Sequence, residues 1–228
     1  MTGMNLKEAR QKAGWTQQLA ASALGLTQAY LSMLERGHRP VTPSLATRAS
    51  QVFDLPPTAL PMEPENSLSL NDEELKADLG ALGYPGFSYL RGKPTRNPTQ
   101  LLSYALNRAD LDVRVVEALP WMTSTFVNMD WDWLVANAKQ HDRQNRLGFV
   151  VTVAKKFAEK TGDSTRAEKL NRYRELLDPS RLAREDTLCH DSMTRAERKW
   201  LEENRPPEAR HWHLLTDLDL KHLAYVPA

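Results

Sequence analysis

A chain of 228 residues, 41% of them apolar, is long enough for two cores, and with 10 Gly and 14 Pro it is not a low-complexity polymer. Its net charge of +1 gives no argument from bulk charge for a polyanionic partner, and one cysteine, Cys189, excludes an intrachain disulfide. No basic-then-apolar leader opens the sequence and no apolar run approaches ~20 residues, so it reads as a cytoplasmic protein without membrane contact.

The charge is unevenly placed. Residues 1–60 carry six basic side chains (Lys7, Arg10, Lys12, Arg36, Arg39, Arg48) against Glu8, Glu35 and Asp54, a net +3 that leaves −2 for the remainder. A positive head on a slightly negative body suggests a polyanion at one end. In this head, Leu6, Ala9, Arg10 and Ala13 recur at helical spacing and Gly14 follows as a stop. Thr16 is an N-cap for a short helix, Gln17 to Leu24, which Gly25 ends. Thr27 caps a third helix carrying Tyr30, Leu31 and Leu34 to Arg36, before Gly37. Pro43 suits the first turn of a fourth, with Leu45, Ala49, Val52 and Phe53. A last short turn lies around Leu60. The spacing therefore predicts a five-helix domain over residues 1–62.

Residues 63–78 are rich in acids (Glu63, Glu65, Asp72, Glu73, Glu74, Asp78), with Pro64, Ser67, Ser69 and Asn71 among them, and read as an exposed acidic linker running into a helix near Leu75. Gly80, Gly83, Pro85 and Gly86 punctuate a turn-rich stretch. Helices are predicted from Asn97 through Leu106, from about Leu111 to Leu119 where Pro120 interrupts, and from Asp130 through Ala138 with Leu147 to Ala158 as its continuation. Others are expected at Thr165–Leu177, Thr194–Glu203 and Pro207–Leu215. No period-two run is long enough for a strand. Residues 79–228 thus read as a larger, mainly helical domain, with consecutive pairs hinting at a helical-repeat stack, and the whole chain as all-α.

The segment Thr16-Gln17-Gln18-Leu19-Ala20-Ala21, then Leu24-Gly25-Leu26-Thr27-Gln28-Ala29-Tyr30-Leu31 and Leu34-Glu35-Arg36-Gly37, has the parts of a device that sets one helix in a DNA groove. Ala21 is small where two helices cross, Gly25 makes the turn, and Leu24, Leu31 and Leu34 lock the helices. Gln28, Ala29, Ser32 and Met33 fall on the opposite face. In these positions the sequence resembles the lambda-repressor-like (Cro/repressor, XRE-type) helix-turn-helix family. That resemblance implies sequence-specific binding of double-stranded DNA by a homodimer at a palindromic operator. It implies Gln17 on the DNA backbone, Thr27 and Gln28 at the start of the recognition helix, and Gln28 paired with an adenine. Ala29 and Met33 would meet a thymine methyl, and Tyr30 and Ser32 a base or phosphate. Arg36, His38, Arg39 and Arg48 would hold phosphates. Arg10 and Glu35 match positions that form a structural ion pair.

Elsewhere the residues carry no recognised chemistry. Cys189-His190 and His211-Trp212-His213 hold ligand types suited to zinc, but at no zinc-finger spacing, so no metal is assigned. The six tryptophans read as core, and the Arg/Glu alternation from Arg172 to Glu203 as a solvated, ion-paired face. Phosphate-loop, nucleophile-elbow and zinc-helix motifs are absent, so neither an enzyme nor a cofactor is expected. The segments Leu82–Arg91, Leu119-Pro120-Trp121, Asp130–Leu134 and Asn145–Phe149 resemble a helical domain of bacterial regulators that accompany nucleotidyltransferase toxins. This resemblance implies an autoregulating antitoxin with a toxin protein as partner. The alternative is a stand-alone repressor whose C-terminal domain dimerises or senses a small ligand.

Overall fold

The computed structural model describes residues 3–64, 69–90, 92–223 and 225; residues 65–68 of the acidic stretch, and Arg91, lie outside them. The chain divides into two compact units, Met1–Leu68 with Pro94–Asn97, and Ser69–Lys93 with Pro98–Ala228.

The described residues of the first unit form α1 (Gly3–Lys12), α2 (Gln17–Ala23), α3 (Gln28–Glu35) and α4 (Pro43–Val52), with a 3-10 turn at Pro57–Ala59. Its starts and stops follow from local chemistry. Thr16, Thr27 and Thr42 sit in extended backbone, and their hydroxyls accept from the N–H groups of Leu19, Tyr30 and Leu45. Helices α1, α2 and α3 each end in a paired C-terminal motif; at Gly25 these are Gly25 N–H to Ser22 O (3.1 Å) and Leu26 N–H to Ala21 O (2.8 Å). Between the helices, Leu6, Ala20, Leu24, Leu31, Leu34 and Ala49 are buried against one another. Trp15 meets Phe53 edge-on at 5.5 Å. The chain also returns to this unit later: buried Asn97 donates from Nδ2 to the carbonyls of Thr58 (3.0 Å) and Leu60 (2.7 Å).

The second unit starts earlier than its composition suggests. Helix α5 (Asp72–Ala81) begins at a capping box, in which Asn71 Oδ1 accepts from Glu74 N–H and Glu74 Oε2 accepts from Asn71 N–H. The acidic residues are its first turn, favoured there by the helix dipole, and Leu75 and Asp78 are buried, so the stretch 63–78 is not a linker throughout. A 3-10 segment at Pro85–Leu90 leads to α6 (Pro98–Asn107) and α7 (Val113–Thr125). Helix α7 runs through Pro120 instead of ending there. A mid-helix proline costs ~3 kcal/mol, but Leu119, Pro120, Trp121 and Met122 are all buried, and that burial outweighs it.

Helices α8 (Trp131–Gln140) and α9 (Gln144–Lys160) are separate rather than continuous, because Asp142 turns left-handed at φ 57°. α9 is the centre of the unit, packing against α7, α8 and α10 (Ser164–Leu177), and against α12 (Pro207–His211). One helix touching four others is not a repeat stack, in which each repeat meets only its neighbours. Helix α12 stops at His211; Leu214–Leu215 forms a two-residue strand, β2, parallel to β1 (Asp186–Thr187). Helix α11 (Arg195–Asn204) lies between them in sequence, capped by Thr194.

Two features of α9 fix this arrangement. Gly148 leaves room for the Trp212 ring, which a Cβ would meet at 2.3 Å, and Trp212 Nε1 donates to Thr152 Oγ1 at 2.9 Å. Arg146, fully buried, donates to both Asp186 oxygens at 2.9 Å, to the carbonyls of Leu106 and Arg108, and to Asp191. Burial alone would lower its pKa, but the Asp186 bond and the surrounding negative groups raise it, so the guanidinium stays charged. Cys189 is buried beside it and donates to Ala105 O; desolvation pushes its thiol up to about 11. Trp131 stacks on Tyr173 at 4.0 Å, whereas Trp200 is largely exposed. Among the described residues no helix is long and apolar enough to cross a membrane.

Candidate nucleic-acid interface

Helix α3 presents two faces. Leu31, Leu34 and Glu35 are buried, while Gln28, Ala29 and Met33 are exposed and Ser32 is half-buried. Residues 28, 29, 32, 33 and 36 share one side of a 3.6-residue helix, so the exposed side mixes polar Gln28, Ser32 and Arg36 with small or apolar Ala29 and Met33. Thr27 satisfies one first-turn N–H; the others have no partner within the helix and point along the dipole toward any anion placed there. Arg36, His38 and Arg39 are exposed where α3 ends and in the loop beyond.

Glu35 holds this helix to the two before it. Arg10 grips its carboxylate with two bonds, Nε to Oε1 at 2.6 Å and Nη2 to Oε2 at 3.0 Å, and donates from Nη1 to Trp15 O at 2.9 Å. Gln17 Nε2 adds a third bond to Glu35 Oε2 at 2.9 Å. Burial pushes the Glu35 carboxyl up; bonds from Arg10 and Gln17 and the charges of Arg10 and Lys7 outweigh it and hold the pKa below its ordinary value. This clamp ties the C-terminal end of α3 to α1 and to the start of α2.

Three of the residues expected at DNA also have contacts within the domain. Gln17, half-buried at the start of α2, donates its amide to Glu35 within the domain. Its neighbour Gln18 is the exposed glutamine of that turn. Helical spacing contains the signal, since 17, 20, 21 and 24 share the core side and 18 and 22 do not. Arg48 donates from Nη1 to Leu24 O at 3.0 Å, tying α4 to the end of α2. It caps the end of α2 through that one nitrogen, and the residue is otherwise exposed. Tyr30 is half-buried against the core cluster, so its ring is part of the scaffold. Gln28, Ala29, Ser32 and Met33 run along the outer face of α3, with Thr27 as the cap at its start and Arg36, His38 and Arg39 at and beyond its other end.

The helix-turn-helix family model matches residues 6–60, the same stretch as these four helices and their closing turn. The first unit is a helix-turn-helix domain. It is of the lambda-repressor-like kind, and the all-helical fold that this implies is the one observed. The chain is also similar to a protein named propionyl-CoA carboxylase regulator from Cereibacter sphaeroides, at 31% identity over 111 residues. That match covers 49% of this chain and 23% of the relative, so the chain shares less than a quarter of that protein's length. It is longer than the helix-turn-helix match, so the likeness reaches beyond residues 6–60. No solved structure matches the chain.

Proposed function

We propose that the protein is a sequence-specific DNA-binding transcriptional regulator that acts as a repressor, working by binding and not by catalysis. The observation that carries this reading is the pairing of a clamped scaffold with an exposed α3 face of Gln28, Ala29, Ser32 and Met33. Surface helices without a target carry solvated Lys and Glu; this one offers an amide and small or apolar groups that match base edges. Arg36, His38 and Arg39 supply the phosphate contacts that fix register. A single short recognition helix reads few base pairs, so a homodimer on a palindromic operator is the form in which it acts.

Two roles follow for the second unit. As an autoregulating antitoxin it would hold a toxin protein, as the resemblance of its segments around Tyr84, Trp121, Trp131 and Phe149 implies. As a stand-alone regulator it would dimerise or sense a small molecule, and the similarity to a protein named propionyl-CoA carboxylase regulator favours this second role. Co-expression with the product of the adjoining gene separates them, since only an antitoxin captures it and restores growth.

The DNA reading is tested by selecting duplexes from a random pool with the full chain, then measuring affinity at several salt concentrations. A recurrent, two-fold symmetric sequence is expected. Arg39→Ala should weaken all duplexes alike and flatten the salt slope by about one unit. A pool that yields no preferred sequence overturns the proposal.

A further inference from the structure

Helix α11 (Arg195–Asn204) has little beneath it. Of its ten residues only Leu201 is buried, and Trp200 is 54% exposed. A helix shorter than ~12 residues is marginal in water, and in proteins most helical stability comes from covering one face. The capping box of Thr194 and Glu197 fixes the first turn of α11. The side away from Leu201 is bare: Arg195, Ala196, Lys199, Trp200 and Glu203 are all exposed. Steps of three and four residues put these five on one side of the helix.

The charges of that side run against the helix's own dipole. Arg195 and Lys199 occupy its first half, and Glu203 stands in its last turn next to Glu202. Acids suit the N-terminal end of a helix and bases its C-terminal end, and a Lys four residues before a Glu is the weaker order of that pair. Among the described residues, Arg195, Lys199, Glu202 and Glu203 form no side-chain ion pair. Neighbouring cations are engaged elsewhere. Arg198 donates to Asp191 O at 3.0 Å, Arg205 pairs with Glu185 at 2.9 Å, and Arg210 donates to the main-chain O of Glu203 at 2.9 Å.

A second copy of the same helix, run antiparallel, turns this pattern to advantage. A two-fold axis sets the same patch of two copies face to face, so the patch must complement itself. Antiparallel α11 helices do so: each basic half lies along the acidic end of the other, and the two dipoles oppose. A parallel pair would set like charges side by side. With the axis at Trp200, the two indoles meet at the centre of the contact, where aromatic residues contribute most to binding. We propose that two copies of this chain pair through antiparallel α11 helices, with Trp200 at the axis and Lys199 of each copy beside Glu203 of the other. This rests on the homodimer inferred for operator binding and gives that homodimer a surface. A ten-residue helix is ~15 Å long, so the contact is small and belongs to the weak, transient class that a palindromic duplex can complete.

Sedimentation velocity of the full chain without DNA, at increasing concentration, tests it. The parent should associate to a dimer. Trp200→Ala should weaken that dimer about tenfold or more. Lys199→Glu and Glu203→Lys, each alone, should weaken it roughly tenfold. Mixed in equal amounts, these two variants should pair with each other about as tightly as the parent does, which a folding defect would not allow. A parent that stays monomeric, a dimer indifferent to these substitutions, or variants that fail to pair on mixing overturns the proposal. The last two results leave a homodimer with another surface, and duplex selection tests DNA binding without reference to α11.

Discussion

The two units place their polar groups in opposite directions. In the first, the polar side chains of α3 face outward, and inward polarity is concentrated on one carboxylate, Glu35, with its partners Arg10 and Gln17. In the second, polarity points inward along α9: Arg146 is fully buried among Asp186, Asp191 and two main-chain carbonyls, and Asn145 both donates to and accepts from Leu182. The first arrangement makes a small platform whose outer face is available to a ligand. The second makes a body whose largely irregular segments, 178–193 and 211–218, are held by buried side chains as well as by the short β1–β2 pairing.

The largest effect should come from removing the inward polarity of the second unit. Arg146→Ala leaves the Asp186 carboxylate buried without its main partner and should cost about 3–5 kcal/mol in urea unfolding, in the second unit's transition. A loss under about 1 kcal/mol would break the comparison. Next is the buried carboxylate of the first unit's clamp. Glu35→Gln removes charge-assisted bonds from Arg10 and should cost about 1.5–3 kcal/mol. Because the folded carboxyl titrates below its unfolded value, its contribution is complete above the unfolded pKa of ~4.3 and is lost as pH falls through the lower folded value. The variant should therefore show a flatter acid limb of stability against pH than the parent, and parallel curves would contradict the clamp.

A smaller effect tests the turn. Gly25 has φ 65°, and an added Cβ would sit 3.2 Å from Arg48 Nη1, which caps Leu24. Gly25→Ala should cost about 1 kcal/mol or somewhat more by thermal unfolding. An unchanged melting temperature would show that the turn tolerates a side chain and that Arg48 is not held there.

Much of the first unit was legible because its determinants are local. Thr16, Thr27, Pro43 and the glycines that follow α1, α2 and α3 each act within four residues. The return of Asn97 to Thr58 and Leu60 was not legible, since nothing near residue 97 announces a partner 37 residues away. In the second unit, local rules were overridden by packing. Pro120 marked a helix end that burial cancelled. Asp142 looked like a helix residue until its left-handed backbone separated α8 from α9. Leu214 and Leu215 continued an apolar helical pattern, yet pair with Asp186 and Thr187. Arg146 resembled any surface arginine in composition, and its burial is visible only once α9 is central. At the candidate interface, the outward stripe of α3 was readable from spacing. The inward turn of Gln17 and the capping role of Arg48 depend on contacts 18 and 24 residues distant.

The central claim is that the outer face of α3 reads DNA. It is tested most directly by Gln28→Ala in the full chain, measured by gel shift against the duplex selected by the parent and against duplexes changed one base pair at a time. The account predicts a loss of about 1–3 kcal/mol on the selected duplex, with discrimination relaxed at one base pair per half-site and an unaltered salt slope. Unchanged affinity and unchanged preference would contradict it.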